Sequence, residues 1–399
     1  MQQRKTKYFY YFRGTLNSHI HFFKALQDVC FENKLPIILI TFLPPSKYMN
    51  QKKLVKRYRS KSFKIFLSPF STFISLLYFF IATIFSKKTV IHLKKRNPKS
   101  FQLLKKFFNE KLILITDLEG DEISEKEYLL QNKKVNEDIV NAEIQSLIKK
   151  ERIILAKYDI IFVQNEYFKR LLDKRHPQLK TIIKVSHLMS FQKGSFCFNE
   201  KIRNDFRLKL NWEKNHIITY IGNVFYPWQN ISKTMKIYKI IKDHLYSDAK
   251  LLLLIRKADH SIARGFIRKH GLKDDDYILN EVNHEEINGY LNASDIGVVL
   301  RDFHVMNKVV TSGKILDYLG SGLPVITTSV FEKIASLLKE RNYGVILDNF
   351  DINEIPLNQI RKIINLDFKT REEISVWANN NLSLNASSVE YVATLKKLR

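Results

Sequence analysis

SGKILDYLGSGLPVIT, residues 312–327, reads as a helix that stops at a tight turn and hands over to a buried strand. Gly322 can supply the positive φ of a helix C-cap. Pro324 cannot continue a helix, so it marks the turn before the strand. In front, Thr311, Ser312 and Gly313 suit a helix N-terminus. Such a terminus presents N–H groups and the positive end of the helix dipole, a ready setting for phosphate. Lys314 adds a point charge in the first turn. Asp317 follows three residues later on the same helix face. A carboxylate there can accept two hydrogen bonds from ribose hydroxyls. Phosphate at the helix tip with ribose one turn deeper makes a nucleoside-diphosphate site.

Outward from this stretch, short apolar runs alternate with longer helical segments. Strands are expected at 216–221, 250–255, 277–280, 295–300, 324–327 and 344–347, with helices near 231–245, 261–270, 285–293, 312–320 and 331–341. The same rhythm fills the first half: strands at 7–12, 35–42, 89–93, 112–116, 159–163 and 181–185. Helices there are expected near 20–29, 100–108, 124–156 and 166–174. Alternation of this kind implies parallel strands joined by right-handed crossovers. The fold class is therefore α/β, with two doubly wound, Rossmann-like domains. A polar stretch, 192–215, separates them. The expected bounds are 1–190, 191–380 and a C-terminal helix within 381–399 that crosses back to the first domain. Two such sheets facing each other leave a crevice beyond the carboxyl ends of their strands, where ligands bind.

Composition limits the function. The 399 residues carry 66 Lys and Arg against 40 Asp and Glu, a formal net charge of +26. With 45% hydrophobic residues the chain can build a core, which excludes general disorder. The two cysteines, Cys30 and Cys197, exclude a disulfide framework or a cysteine-based zinc site and suit a reducing, cytoplasmic compartment. From Asn33 to Asn109 there is no acidic residue. The densest basic cluster includes Lys52, Lys53, Lys56, Arg57 and Arg59. Directly after it comes an uncharged, aromatic run, 65–85, with Phe66, Phe70 and Phe73. A basic cluster beside an apolar helix reads as attachment to an anionic membrane surface, here across 47–88. The run also has nearly the length of a bilayer span. Apolar strands on both sides of it argue against crossing.

The residues quoted from 314 to 326 resemble the K-x-x-E-Y-L-A-x-G-x-P-V-I signature of glycosyltransferases with the two-Rossmann GT-B architecture, and glycosyltransferase family 4 in particular. Tyr220-Ile-Gly222-Asn223 with Trp228-Gln229-Asn230 is similar to that family's second-domain glycine loop. Ala293-Ser-Asp295-Ile-Gly297-Val is similar to the strand leading to its donor site. In the first domain, Gly14-Thr15-Leu-Asn17 resembles the family's Gly-rich loop after the first strand, and Val90-Ile-His92, Asp117-Leu-Glu119-Gly120-Asp121 with Glu125, and the strand 159–165 resemble its later strand ends. The resemblance implies retaining transfer of a sugar from a nucleotide-sugar donor to a hydroxyl of a glycan or glycolipid acceptor. It implies donor-binding roles for Gly14, Gly222, Asn223, Lys314 and Asp317, which join Ser312 and Gly313 of the helix tip; Arg256 or Arg301 is expected to supply the positive charge that the family carries elsewhere. His92, Asp117 and Glu119 become the catalytic candidates. No cofactor and no metal are expected, because the nucleotide-sugar is a co-substrate. The sequence departs from the family where a first glutamate would stand, at Val309, and where an Arg and a Lys would stand, at Asn223 and Asn230.

Other readings stay open. His92 either faces the donor sugar or is a structural histidine. Asp117, Glu119 and Asp121 either touch the acceptor or form a solvated loop. Asp274-Asp275-Asp276 contains D-x-D but precedes a strand, which favours a turn. The charge also suits a nucleic-acid-binding protein, yet no signature of such a module is present, so no nucleic acid is expected as partner. A GT-B sugar-nucleotide enzyme that is not a transferase is the third reading. The expected place is peripheral, on the inner face of the cell membrane.

Overall fold

The computed structural model describes residues 5–13, 16, 19–42, 45–58, 65–68, 72–94, 98–131, 137–348 and 354–399. It divides into two units, Met1–Gln192 with Leu384–Arg399, and Lys193–Ser383.

The first unit runs β1 (Lys7–Arg13), α1 (Ile20–Glu32), β2 (Ile37–Phe42), α2 (Pro45–Tyr58), β3 (Ile65–Ser68), α3 (Thr72–Ile84), β4 (Thr89–Leu93) and α4 (Lys99–Phe108). It continues through β5 (Leu112–Leu118), α5 (Glu122–Gln131), α6 (Glu137–Leu155), β6 (Ile160–Val163), α7 (Glu166–Arg175) and β7 (Ile182–Val185). Seven parallel strands lie in the order β3-β2-β1-β4-β5-β6-β7. β4 is buried along its whole length, as expected of a parallel strand covered on both faces. Alternate residues of β1 sort the helices. Tyr8 and Tyr10 share a core with residues of α1 and with Leu54, Val55 and Tyr58 of α2. Phe9 and Tyr11 point the other way and pack edge-on against Phe79 of α3. So α1 and α2 cover one face of the sheet and α3 covers the opposite one.

The second unit opens with α8 (Glu200–Leu210), β8 (Ile217–Ile221), α9 (Ile231–His244), β9 (Lys250–Leu254), α10 (His260–Lys269), β10 (Tyr277–Asn280) and α11 (His284–Ala293). Then come β11 (Ile296–Val299), α12 (Val305–Lys308), α13 (Gly313–Gly320), β12 (Val325–Thr327), α14 (Glu332–Arg341), β13 (Gly344–Ile346), α15 (Leu357–Ile364) and α16 (Phe368–Asn381). The chain ends with α17 (Leu384–Ser387) and α18 (Val389–Lys397), which belong to the first unit. Six parallel strands lie in the order β10-β9-β8-β11-β12-β13. In both sheets the order reverses direction beside the first strand, β1 or β8. This is the doubly wound pattern, and it leaves a ligand-binding position at the carboxyl ends of the strands.

Three local expectations are corrected. The apolar run 65–85 is not one helix. Its start pairs as the edge strand β3, with Leu39 opposite Ile65, and its remainder forms α3. The sequence places Pro69 directly after β3, and a residue without an N–H cannot extend the ladder. No helix among the described residues is long and apolar enough to cross a membrane. The expected helix 124–156 is two helices, α5 and α6. The polar stretch 192–215 contains α8, which is fastened to the second sheet rather than serving as a spacer. Arg203 and Arg207 of α8 grip Asp295 at 2.5 and 2.6 Å, and Asp295 also accepts from the Ile217 N–H.

Candidate functional site

The second unit holds most of the donor candidates. Gly222 directly follows β8, and its φ of +115° lies in the region that favours glycine. A Cβ on Gly222 would stand 2.4 Å from Lys314 Cε. The Lys314 side chain therefore crosses directly over the glycine. Lys314 Nζ donates to Gln229 Oε1 at 2.6 Å, and the ammonium lies 5.2 Å from the centre of the Tyr220 ring. The Tyr220 hydroxyl lies 3.1 Å from the same Gln229 oxygen. Burial, with the Arg301 charge added, drives Lys314 well below the usual lysine range, while Asp317 opposes the shift. Burial also raises the Asp317 carboxyl to about 8, against the pull of Lys314.

The helix that carries this pair is fixed by close packing. Gly297 lies against Tyr318, since a Cβ there would come within 2.3 Å of the ring. The Tyr318 hydroxyl accepts from the Ile221 N–H at 3.0 Å, tying α13 to β8. Past the helix, Gly322 at φ +69° makes the turn, and the Leu323 N–H bonds the Tyr318 carbonyl. At the other end Ser312 is the N-cap residue, yet its side chain makes no capping bond. The N-terminal turn of α13 thus keeps backbone donors that no side-chain cap covers.

Arg301 reaches the loop after β8, donating to the Trp228 carbonyl at 2.5 Å. Arg256 does not join this group. Its side chain is exposed and pairs with Asp259 three residues on. Asn223 accepts from Tyr220 through its backbone carbonyl. Its side-chain oxygen, and the side-chain nitrogen of Asn230, are buried without a hydrogen-bond partner. Position 309 is a fully buried valine and presents no carboxylate. Asp274–Asp276 forms a turn in which Asp276 accepts from the Lys273 N–H and pairs with Lys242. Among the described residues, no three His, Cys, Asp or Glu side chains are grouped to hold a metal ion.

In the first unit, His92 and Asp117 stand on neighbouring strands, β4 and β5. His92 is 1% and Asp117 4% exposed. His92 Nε2 meets Asp117 Oδ1 at 2.7 Å, and Nδ1 meets the Tyr391 hydroxyl at 3.0 Å. Burial pulls His92 below its ordinary value of 6.5, so it is neutral near pH 7. Burial pushes Asp117 the other way. The Lys94 charge and the His92 bond outweigh that cost and hold Asp117 well below the usual carboxylate range. An ionised carboxylate can only accept, so Nε2 carries the proton and Nδ1 accepts from Tyr391. Lys94 bridges Asp117 and Glu119, both at 2.5 Å. Glu119 is the one of these three candidates with partial exposure. Asp121 is locked away, held by both Arg175 nitrogens at 2.7 and 2.6 Å. From Asp117 and Glu119 a cavity of about 850 Å³ extends along α5 and α6, lined also by Glu122, Glu125, Glu143 and Leu147.

Gly14, Arg59 and Phe70 lie outside the described residues, as do the side chains of Phe66 in β3 and Phe73 in α3. Lys52, Lys53, Lys56 and Arg57 are exposed on α2. Sequence reasoning missed Lys94 as partner of Asp117 and Glu119, Tyr391 as partner of His92, and Gln229 as partner of Lys314. Lys94 had a signal, because it follows His92 by two positions on the same side of a strand. Tyr391 had none, since nearly three hundred residues separate it from His92.

No family model and no curated protein matches the chain. Solved structures do match, over nearly its whole length. A glycosyltransferase from Rickettsia africae is similar with a TM-score of 0.66 at 12% identity, covering 100% of this chain and 99% of the other. Anabaena HepE, solved with UDP-glucose, has a TM-score of 0.63 at 11% identity, covering 98% and 99%. The N-terminal domain of Candida albicans trehalose-6-phosphate phosphatase has 0.62 at 11% identity, covering 100% and 97%. At these identities the likeness concerns the fold, and the fold is GT-B.

Proposed function

We propose that the chain is a retaining glycosyltransferase that moves a sugar from a nucleotide-sugar donor to a hydroxyl of a lipid-linked glycan acceptor, in building a cell-surface polysaccharide. The observation that carries the reading is the Lys314 side chain laid over Gly222. It sits in the first turn of a helix whose start no side chain caps. The buried, unpartnered amide atoms of Asn223 and Asn230 flank the same loop. Such groups lose hydrogen bonds unless a ligand supplies them. A diphosphate against Lys314 and the α13 tip would accept from the Asn230 amide, and a hydroxyl of the donor sugar would donate to the Asn223 oxygen, with ribose at Asp317. UDP-glucose in the Anabaena neighbour is a ligand of this class.

In the proposed reaction the bond from the anomeric carbon to the diphosphate breaks, and the acceptor oxygen bonds that carbon on the same face. The acceptor proton passes to a departing phosphate oxygen. This path needs no enzymic nucleophile, in keeping with the buried valine at 309. Lys314, Arg301 and the helix-tip donors would stabilise charge as it grows on the leaving group. Glu119, which lines the first unit's cavity, would accept hydrogen bonds from acceptor hydroxyls. A lipid-linked acceptor at the inner face of the cell membrane accounts for the acid-free basic segment 33–109. No cofactor or metal enters this scheme, and no nucleic acid is a partner.

Thermal melting with a panel of nucleotide sugars tests the donor. One of them should raise the melting temperature of the wild type and leave Lys314→Ala unmoved. Free nucleotide should then appear only when acceptor is supplied, which separates a transferase from an epimerase. Steep, salt-dependent oligonucleotide binding without any nucleotide-sugar effect would sink the reading.

A further inference from the structure

The sequence places a basic cluster and an apolar run side by side, as one membrane-binding element. The fold pulls them apart. α2, with Lys52, Lys53, Lys56 and Arg57 exposed, packs Leu54, Val55 and Tyr58 on the sheet face of Tyr8 and Tyr10. α3 lies on the opposite face, where Phe79 meets Phe9 and Tyr11. The outer sides of α2 and α3 therefore look in opposite directions, and one flat bilayer cannot receive both.

α2 offers little to a hydrocarbon layer, because among its described side chains Met49 is the one large apolar group left exposed. α3 differs. Its inner side buries Ser75, Phe79, Ala82 and Thr83, while Leu77 and Ile81 stay 48% exposed and Phe85, just past its end, 63%. The spacing, four residues and then four, makes one stripe. α4 packs beside it through Phe80, which meets Phe107 and Phe108 at 6.4 and 5.1 Å. The outer side of α4 continues the stripe with Leu103 at 60% and Phe107 at 70% exposure. Exposed lysines frame it: Lys87 in the turn after α3, and Lys99 and Lys106 on α4. The first acidic residue after Glu32 is Glu110, at the far end of α4. An apolar stripe of this size, edged by one sign of charge, is an unusual surface for a monomer in water.

We propose that the outer sides of α3 and α4 form a docking face for an anionic bilayer, with Leu77, Ile81, Phe85, Leu103 and Phe107 entering the headgroup boundary and Lys87, Lys99 and Lys106 meeting lipid phosphates. The charge complementarity singles out this occupant: aromatic and aliphatic side chains enter the interface while the lysines hold it to acidic headgroups. The proposal deepens the membrane partner named above and rests on that reading. It assigns the contact to α3 and α4 and takes it away from α2.

The test is cosedimentation of the full chain with phosphatidylcholine vesicles, with and without phosphatidylglycerol. Wild type should bind the anionic vesicles preferentially. Phe85→Ser with Phe107→Ser should weaken that binding at least about tenfold, from the loss of two apolar anchors. Lys99→Glu with Lys106→Glu, changes at exposed positions that leave the core intact, should weaken it on anionic vesicles alone. Serine at Lys52, Lys53, Lys56 and Arg57 together should change it less than about threefold. Undiminished binding by both paired variants overturns the proposal, as does loss of binding from the α2 variant alone. A wild-type dimer that ignores vesicles and is dispersed by Phe85→Ser with Phe107→Ser assigns the face to a second copy and overturns it too. Melting with nucleotide sugar, without vesicles, runs alongside. Loss of that response with vesicle binding intact overturns the donor reading and leaves the docking face standing.

Discussion

Burial pushes Lys314 toward its neutral form, and a diphosphate set against it would restore the charge. Donor binding below lysine's ordinary 10.5 should therefore take up protons wherever the free site holds Lys314 neutral, readable as a dependence of calorimetric binding heat on the buffer's ionisation enthalpy. Lys314→Ala should abolish the uptake and weaken donor binding by about 1.5–3 kcal/mol, the worth of a hydrogen bond to a charged group. Unchanged affinity in the folded variant would remove Lys314 from the site. Asp317 titrates in the other sense. Its carboxyl ionises near 3.8 when unfolded and at about 8 when folded. Between those values the folded chain holds a proton that the unfolded chain has lost, so stability from this group falls as pH rises from about 4 to 8. Lys314, lowered in the fold, contributes an opposite slope that ends at lysine's ordinary 10.5. In Asp317→Asn the first slope should vanish in urea titrations at pH 5 and 8, and a persisting slope would place the proton elsewhere. At this scale the site was half legible. Lys314 and Asp317 carry a motif, and their spacing on a helix is local. Gln229 became a partner only because α13 packs on β8, through Tyr318 and the Ile221 N–H, beside the loop that carries Gln229.

Two groups of buried charge that no local pattern announces hold elements together. α8 is tied to the second sheet by Arg203 and Arg207 on Asp295, and Arg371 of α16 lies close enough to act on the same carboxylate. Asp295→Asn leaves those cations unpaired and should cost about 3–5 kcal/mol in denaturant unfolding. A loss below about 1 kcal/mol would mean that the backbone carbonyls around Arg203 suffice to hold it. β4 and β5 share the second such group. Lys94→Met strands the Asp117 charge in the core and should cost about the same. Adding Asp117→Asn should recover part of the loss, because the orphaned charge is then gone. No recovery would show that Lys94 acts through packing. Element identity itself was readable wherever hydrophobic periodicity was strong, as in β4, β8, β9 and α13. It failed at β3, where four strand residues run into an apolar helix without a charge to mark the join. It failed at α8 as well, whose polar composition hides the side that Arg203 and Arg207 bury.

Across the whole molecule, the strand orders follow from parallel pairing and right-handed crossovers, and alternation of strands and helices was enough to expect two doubly wound units. The sequence by itself determined the α/β class, the helix–turn–strand at 312–327 with its Lys and Asp, and the surplus of positive charge before residue 110. Each of these depends on residues within a few turns of one another. Only the tertiary structure decided which charges meet and which faces look outward. His92 gained Tyr391, Lys94 came to bridge Asp117 and Glu119, Arg256 turned to Asp259, and the basic cluster was carried across the sheet from the apolar stripe. The physical reason is the alternation of side chains in a strand: Tyr10 and Tyr11 are adjacent in the chain yet pack against different helix layers. Which layer a crossover joins is set by handedness and strand order, quantities that exist only once the sheet has formed.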